Sequence, residues 1–339
     1  MVRKSKPPTP QADARLMEAL GPLAALQADP GVSEIMVDAP DKVFIERAGK
    51  IEDAGVRFAT TDELLHTMDA LLALVGEALS PAKTAATVRL PDNSHMLAII
   101  PPSAVDGPHL VIRKLIKRRM TFEDLVEVGA LSPAAVAFFK SAINKRANIL
   151  VSGSTGSGKT TVVNTLAENF PPDERLIILE EHVELRIEHP RALRLAADSS
   201  PDLSFADLVI CAARMRPDRL VFGELHGKEA IHALQLMATG HDGSLASLHA
   251  NGPENALARL ETMCLMAELG IGLFEIRVAV ADAIHLITHQ ARLENGSRRI
   301  MVISELRGLE NDRYILQPLF RYNPETDAVE PTGAQSRWS

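Results

Sequence analysis

Gly153-Ser154-Thr155-Gly156-Ser157-Gly158-Lys159-Thr160 is the stretch that decides the fold of this chain. It fits GxxxxGK[ST], a loop that wraps nucleotide phosphates. Asn148-Ile149-Leu150-Val151 before it reads as a buried strand, and Thr161 to Glu168 after it has helical spacing. This strand-to-helix context makes the match specific. Glycines 153, 156 and 158 let successive backbone N–H groups curl around phosphate oxygens, and the start of the following helix adds positive field. Lys159 then reaches the β and γ phosphates, and Thr160 offers its hydroxyl to Mg²⁺. Gly153 through Thr161 together form the nucleotide cradle.

Outward from the loop, a helix near Pro133–Ile143 leads into alternating strands and helices: 149–151, 159–168, 176–179, 205–215, 220–222 and 228–237. That order predicts a parallel α/β domain. Residues 283–288, 300–306 and 314–320 read as strands that extend the sheet in antiparallel fashion. Upstream, a helix (14–27), a strand pair (34–37 and 42–46), a second helix (61–75) and strands near 87–90, 97–100 and 110–112 predict a smaller α+β domain. The organisation expected is a disordered tail at 1–10, the α+β domain at 11–113, a linker at 114–125, the P-loop domain at 126–323 and a disordered tail at 324–339.

Two further strands end in carboxylates. Leu176–Leu179 runs into Glu180-Glu181, and Leu220–Phe222 into Gly223-Glu224. The C-terminal ends of parallel strands line the ligand crevice, so these carboxylates can face the nucleotide as metal or water partners. A solvated acidic turn is the alternative for Glu180, Glu181 and Glu184, and it is weaker for Glu224, which directly ends an apolar strand. His241 and His249 flank the candidate strand 243–248. Either can sense a γ-phosphate or act as a core or cap histidine, and their spacing nominates no metal site. Arg113, Lys114, Lys117, Arg118 and Arg119 form a basic cluster in which Arg113 directly ends an apolar run.

Taken together, these segments resemble the ATPases of the type II and type IV secretion superfamily, and most closely the TrbB-like ATPases of conjugative type IV secretion. The resemblance runs from about Val32 to Phe320: Gly153–Thr160 resembles the Walker A loop, Ile178–Leu185 the acidic box, Arg214–Glu224 the Walker B segment, and Thr239–Asn251 the histidine box. It implies a RecA-like P-loop domain behind the α+β domain, with Glu224 as catalytic base and Glu180 near Mg²⁺ and its water. It also implies that Arg113 meets the γ-phosphate. Two positions depart from the pattern: the acidic box reads Glu180-Glu181-His182 where Glu-Asp is usual, which sets position 181 apart, and His95 stands where a second arginine is expected. The resemblance further implies a homohexamer whose ATP hydrolysis drives domain closure, with inner-membrane secretion proteins as partners. A type IV pilus or type II secretion motor of the same superfamily is the alternative.

The chain has 339 residues, enough for two domains, with 46% apolar and 24% charged residues, an ordinary globular balance. A net charge of -8 speaks against a helicase or DNA-packaging motor, and nucleic-acid binding is not indicated. Glu224 speaks against a module that binds ATP without turnover. Two isolated cysteines, Cys211 and Cys264, form no CxxC pair and cannot supply a four-cysteine zinc segment. The proline-interrupted start has no apolar signal core, and no run approaches the roughly 18 residues of a membrane span. The expectation is a cytoplasmic protein held at the inner membrane by partners.

Overall fold

The computed structural model describes residues 10–47, 49–114, 119–197 and 203–339. Most of the expected tail at 1–10, and Lys117 and Arg118 of the basic cluster, lie outside the described residues. The chain forms two compact units, Met1–Arg118 and Arg119–Ser339.

In the first unit, helices α1 (Pro10–Leu20), α2 (Ala24–Ala28) and α3 (Thr61–Ala73) accompany strands β1 (Val32–Ala39), β2 (Lys42–Arg47), β3 (Lys50–Asp53), β4 (Ala85–Arg89), β5 (His95–Ile99) and β6 (His109–Arg113). The strands form one antiparallel sheet in the order β3-β2-β1-β6-β5-β4. Ile35 and Val37 of β1 and Leu110 and Ile112 of β6 turn inward and meet Leu64, Met68, Leu71 and Leu72 of α3. The single helix expected at 14–27 is broken by Gly21, whose φ of +51° leaves the helical region, and Pro22 follows it in a 3-10 turn. The β3 strand escaped sequence reading because all four of its residues are exposed.

The second unit holds helices α4 (Phe122–Glu127), α5 (Pro133–Asn144), α6 (Lys159–Glu168), α7 (Phe205–Ala213), α8 (Glu229–Ala238), α9 (Pro253–Leu265) and α10 (Leu273–Ala283). Its strands are β7 (Ile149–Gly153), β8 (Leu176–Glu180), β9 (Ala192–Ala196), β10 (Arg219–Phe222), β11 (Leu245–His249), β12 (Leu286–Arg292), β13 (Arg298–Glu310), β14 (Arg313–Asn323) and β15 (Ala328–Pro331). They form a nine-stranded sheet in the order β15-β14-β13-β12-β7-β11-β10-β8-β9. Pairing is parallel from β12 to β9 and antiparallel from β12 to β15. Helices cover both faces, so alternate strand residues feed separate cores. Val151 and Ile178 join Phe139 and Val163, whereas Leu150, Ile177 and Leu179 join Leu220 and Leu234.

Several expectations are corrected here. Part of the predicted linker is α4, closed by a capping box between Thr121 and Asp124, with Phe122 and Leu125 buried. The strand read at 283–288 begins only at Leu286, after α10, and runs parallel to β7 rather than antiparallel. The segment 324–339 is not a disordered tail. It contains β15, which pairs with β14 and buries Val329, and the Trp338 ring lies 4.7 Å from that of His285.

A buried cation fixes the start of β10. Arg219 pairs through Nε with Glu174, donates to the Gly243 carbonyl at 3.2 Å and lies 4.5 Å over the Phe170 ring. Gly243 sits at φ +84°, and a side chain there would meet Arg219 at 2.5 Å. Removing the carboxylate strands an uncompensated buried guanidinium, which costs about 3–5 kcal/mol. Glu174→Ala is therefore expected to lose that much in chemical denaturation. A loss under about 1 kcal/mol would show that Arg219 does not depend on this partner.

Candidate functional site

The loop after β7 has the conformation that its glycines were expected to permit. Gly156 and Gly158 sit at φ +72° and +98°, in the left-handed region that side chains disfavour. Gly153 is needed for a different reason. Its register partners are His249 on β11 and Gln290 on β12, and an added Cβ would lie 2.5 Å from the Gln290 carbonyl and against Ser157 Oγ. Gly158 also precedes α6 with no side-chain cap, so the first N–H groups of that helix point into the loop. Ser154 and Thr155 are exposed, Thr160 and Thr161 are half-buried on the first turn, and Ser157 is buried.

Lys159 is itself buried and folds back across the loop. Its Nζ donates to the Ser154 carbonyl at 3.2 Å and meets His249 Nδ1 at 3.1 Å, while His249 Nε2 lies 3.1 Å from Glu224 Oε2. This chain of contacts assigns the histidine tautomer. Nδ1 accepts from the ammonium, so Nε2 carries the proton and donates to the carboxylate. Burial, and after it the Lys159 charge, holds His249 below its ordinary value, while Glu224 pulls the other way. Strand pairing brings these groups together. The Gly223 N–H donates to Leu179 O at 2.8 Å and the Leu225 N–H to Ser247 O at 2.8 Å, which carries Glu224 past the end of β10 and along the last residues of β11.

Glu180 and Glu224, which end neighbouring strands, have different surroundings. The Glu180 side chain is 3% exposed and that of Glu224 41%. Glu180 Oε1 accepts the Glu184 and Leu185 N–H groups at 2.7 and 2.6 Å, and Oε2 lies 3.7 Å from Arg194. Burial raises the Glu180 pKa, and the two backbone donors lower it in part. A side chain at Gly223 would meet Glu180 Cγ at 2.9 Å, so that glycine makes room for the carboxylate. Glu181 instead turns to His226, 2.9 Å away. The acidic box is thus divided between a buried anchor and an exposed pair. Arg113 belongs to the first unit, where it is exposed at the end of β6 opposite Glu34 and His95 in the sheet register.

Three residues that touch the loop were not singled out in the sequence. Arg298 donates through Nε to the Gly156 carbonyl at 2.8 Å, Arg292 Nη1 would lie 3.8 Å from a Cβ at Gly156, and Gln290 Oε1 would lie 3.7 Å from one at Gly158. The available signal was the Asn295-Gly296 turn, which sets Arg292 opposite Arg298 in the β12–β13 hairpin.

Residues 17–308 match the family model described as type II/IV secretion system protein. This chain belongs to that family. The conjugal transfer protein TrbB of Rhizobium radiobacter is 31% identical over 310 residues, covering 90% of this chain and 93% of that protein. The type IV secretion system protein VirB11 of Brucella suis is 30% identical over 281 residues, covering 74% of this chain and 78% of that protein. At the level of fold, the ATPase DotB of Yersinia pseudotuberculosis superposes with a TM-score of 0.63 at 17% identity, over 92% of this chain and 83% of that one. The fold of this family member is thus a RecA-like P-loop domain preceded by a smaller α+β domain.

The charges around His249 set a pH dependence with a definite sign. A histidine held below about 6.5 when folded binds fewer protons than its unfolded counterpart, so its contribution to stability is present above that value and is lost as pH falls through the folded pKa. Followed by NMR, the His249 titration is expected to have its midpoint below about 6.5, to rise in Lys159→Ala and to fall in Glu224→Gln. An unchanged midpoint in both variants would break the proposed chain of contacts.

Proposed function

We propose that this protein is an Mg-ATP hydrolase that works as a homohexameric motor of conjugative type IV secretion. The single observation that carries this reading is the contact chain Lys159–His249–Glu224. It joins a phosphate-binding lysine to a carboxylate that can take a proton from water. Membership of the secretion family and the likeness to TrbB and VirB11 proteins support the choice of system.

Without nucleotide, Lys159 uses His249 and the Ser154 carbonyl as acceptors. Phosphate oxygens are stronger acceptors because they are anionic, so ATP draws the ammonium into the loop. His249 then loses a neighbouring cation and remains as the donor to Glu224. Glu224, half-exposed at the end of its strand, is the group placed to orient and deprotonate the attacking water. A nucleotide magnesium needs few protein ligands, because it keeps several waters and takes oxygens from the phosphates. Thr160 fits this need as a direct ligand and Glu180 through water, since Glu180 Oε2 is buried without a hydrogen-bond partner. When bound, the ion neutralises charge building on the β and γ phosphates. Among the described residues no group of three or more His, Cys, Asp or Glu could hold a metal without such help.

Arg113 is proposed to answer the γ-phosphate from the first unit and so to make domain motion depend on hydrolysis, because a ligand shifts such an equilibrium only through differential contacts. No helix among the described residues is long and apolar enough to cross a membrane, which fits a motor attached to the inner membrane through partner proteins. Lys159→Ala is expected to lose tight Mg-ATP binding. Glu224→Gln should keep binding while turnover falls about 100-fold, as for lost general base catalysis. Normal turnover in Glu224→Gln together with inactive Glu180→Gln would reverse the roles assigned to the two carboxylates. In the native host, the Glu224→Gln chain is expected to fail to restore plasmid transfer to a deletion strain.

A further inference from the structure

We infer that Arg298 is a positioning residue of the nucleotide site: it grips the phosphate loop from outside and keeps its N–H groups turned inward before nucleotide arrives. This rests on the ATPase reading above and adds to it a second wall of the site, built from the β12–β13 hairpin.

The topology puts that hairpin beside the loop. β12 runs parallel to β7 with Gln290 opposite Gly153, so the chain leaving β12 continues past the phosphate loop. It turns at Leu293–Ser297, where Leu293 N donates to Ser297 O at 2.8 Å, and returns with Arg298 opposite Arg292. Arg298 Nε then donates to the Gly156 carbonyl at 2.8 Å, and its Cδ would lie 3.3 Å from a Cβ on Gly158. The Arg298 side chain therefore meets two of the three loop glycines, Gly156 through Nε and Gly158 through its Cδ.

A phosphate nest works only when its N–H groups converge and its carbonyls point away. Three glycines make that arrangement sterically possible, but they also give the empty loop many alternatives, whose loss opposes binding. A fixed donor on an outward carbonyl removes some of those alternatives beforehand, which is preorganisation. Two further features mark this wall as part of the site. Arg292 and Arg298 stand directly opposite each other across the hairpin, which gathers two positive charges beside the loop, where they attract a polyanionic ligand. Gln290 Nε2 and Ser157 Oγ, both buried at the loop, have no hydrogen-bond partner among the described residues. Buried polar groups are usually satisfied, so this pair points to a site completed by its ligand.

A grip that acts on loop shape serves ground state and transition state alike, so its loss falls on KM and Kd rather than on kcat. Calorimetric titration of the full-length chain with MgADP tests this. Arg298→Met keeps the apolar stem and removes the donor, and is expected to weaken binding about tenfold, or about 1.4 kcal/mol. Arg298→Lys restores a donor and should recover most of the affinity, and both variants should melt near the wild type without nucleotide. Arg292→Met, which removes a positive charge beside the loop, should weaken binding mainly at low salt. Wild-type affinity in Arg298→Met would overturn the inference. So would an equal loss in the Met and Lys variants with a lowered nucleotide-free melting point, which marks a packing role. A wild-type chain that binds no MgADP would remove the ATPase reading itself.

Discussion

The rest of the site is measured from the crowding at Gly153. Three parallel strands lie side by side there, with His249 on one flank and Gln290 on the other. The neighbouring backbone leaves no volume for a side chain, so the chain must leave β7 through a residue without a Cβ. Because His249 is in register with that glycine, the imidazole arrives where the loop begins. Because Gln290 is in register on the other side, the β12–β13 hairpin rises along the opposite wall. A parallel sheet with a crossover on each side brings distant segments to one point, although 137 positions (290 minus 153) separate Gly153 from Gln290.

Electrostatics then gives the two strand-end carboxylates separate tasks. Glu180 is enclosed and has two backbone donors on one oxygen, so it holds the acidic turn in place. Glu224 keeps access to water and accepts a hydrogen bond from His249 Nε2. Two carboxylates at adjacent strand ends thus differ both in burial and in hydrogen-bond partners. The buried lysine adds a further constraint. A protonated His249 would offer it no acceptor at Nδ1 and would place two cations within 3.1 Å, which disfavours the imidazolium.

The legible parts of the sequence were those in which one local pattern had a single physical meaning. Gly153–Thr160 demanded a strand before it and a helix after it, and both are present as β7 and α6. The apolar runs before Glu180 and Glu224 became adjacent strands, so those carboxylates reached one end of the sheet. What was not legible depended on partners far along the chain. Edge strand β9, with Leu193 and Arg194 exposed, has no alternating pattern to show, and β15 is a short strand whose single buried side chain, Val329, is hidden in a polar ending. The link from Lys159 to His249 spans 90 positions and depends on β11 pairing with β7, which no local spacing encodes.

The same reasoning explains why the β12–β13 arginines read as ordinary surface charge. Arg292 and Arg298 flank a polar turn, a context in which charged residues need no explanation. Only the parallel pairing of β12 with β7 turns that hairpin toward the phosphate loop, and the sequence pattern alone suggested an antiparallel extension. Once the pairing is known, the loop is held by two unlike grips. On the β11 side, Lys159 and His249 form a contact that an anionic ligand can outcompete, so this side responds to charge. On the β12 side, Arg298 donates to a backbone carbonyl, an acceptor for which an anionic phosphate does not compete. In the proposed motor, one grip would then release during the cycle while the other keeps the loop in shape, so nucleotide would rebind without the site being rebuilt at every turn.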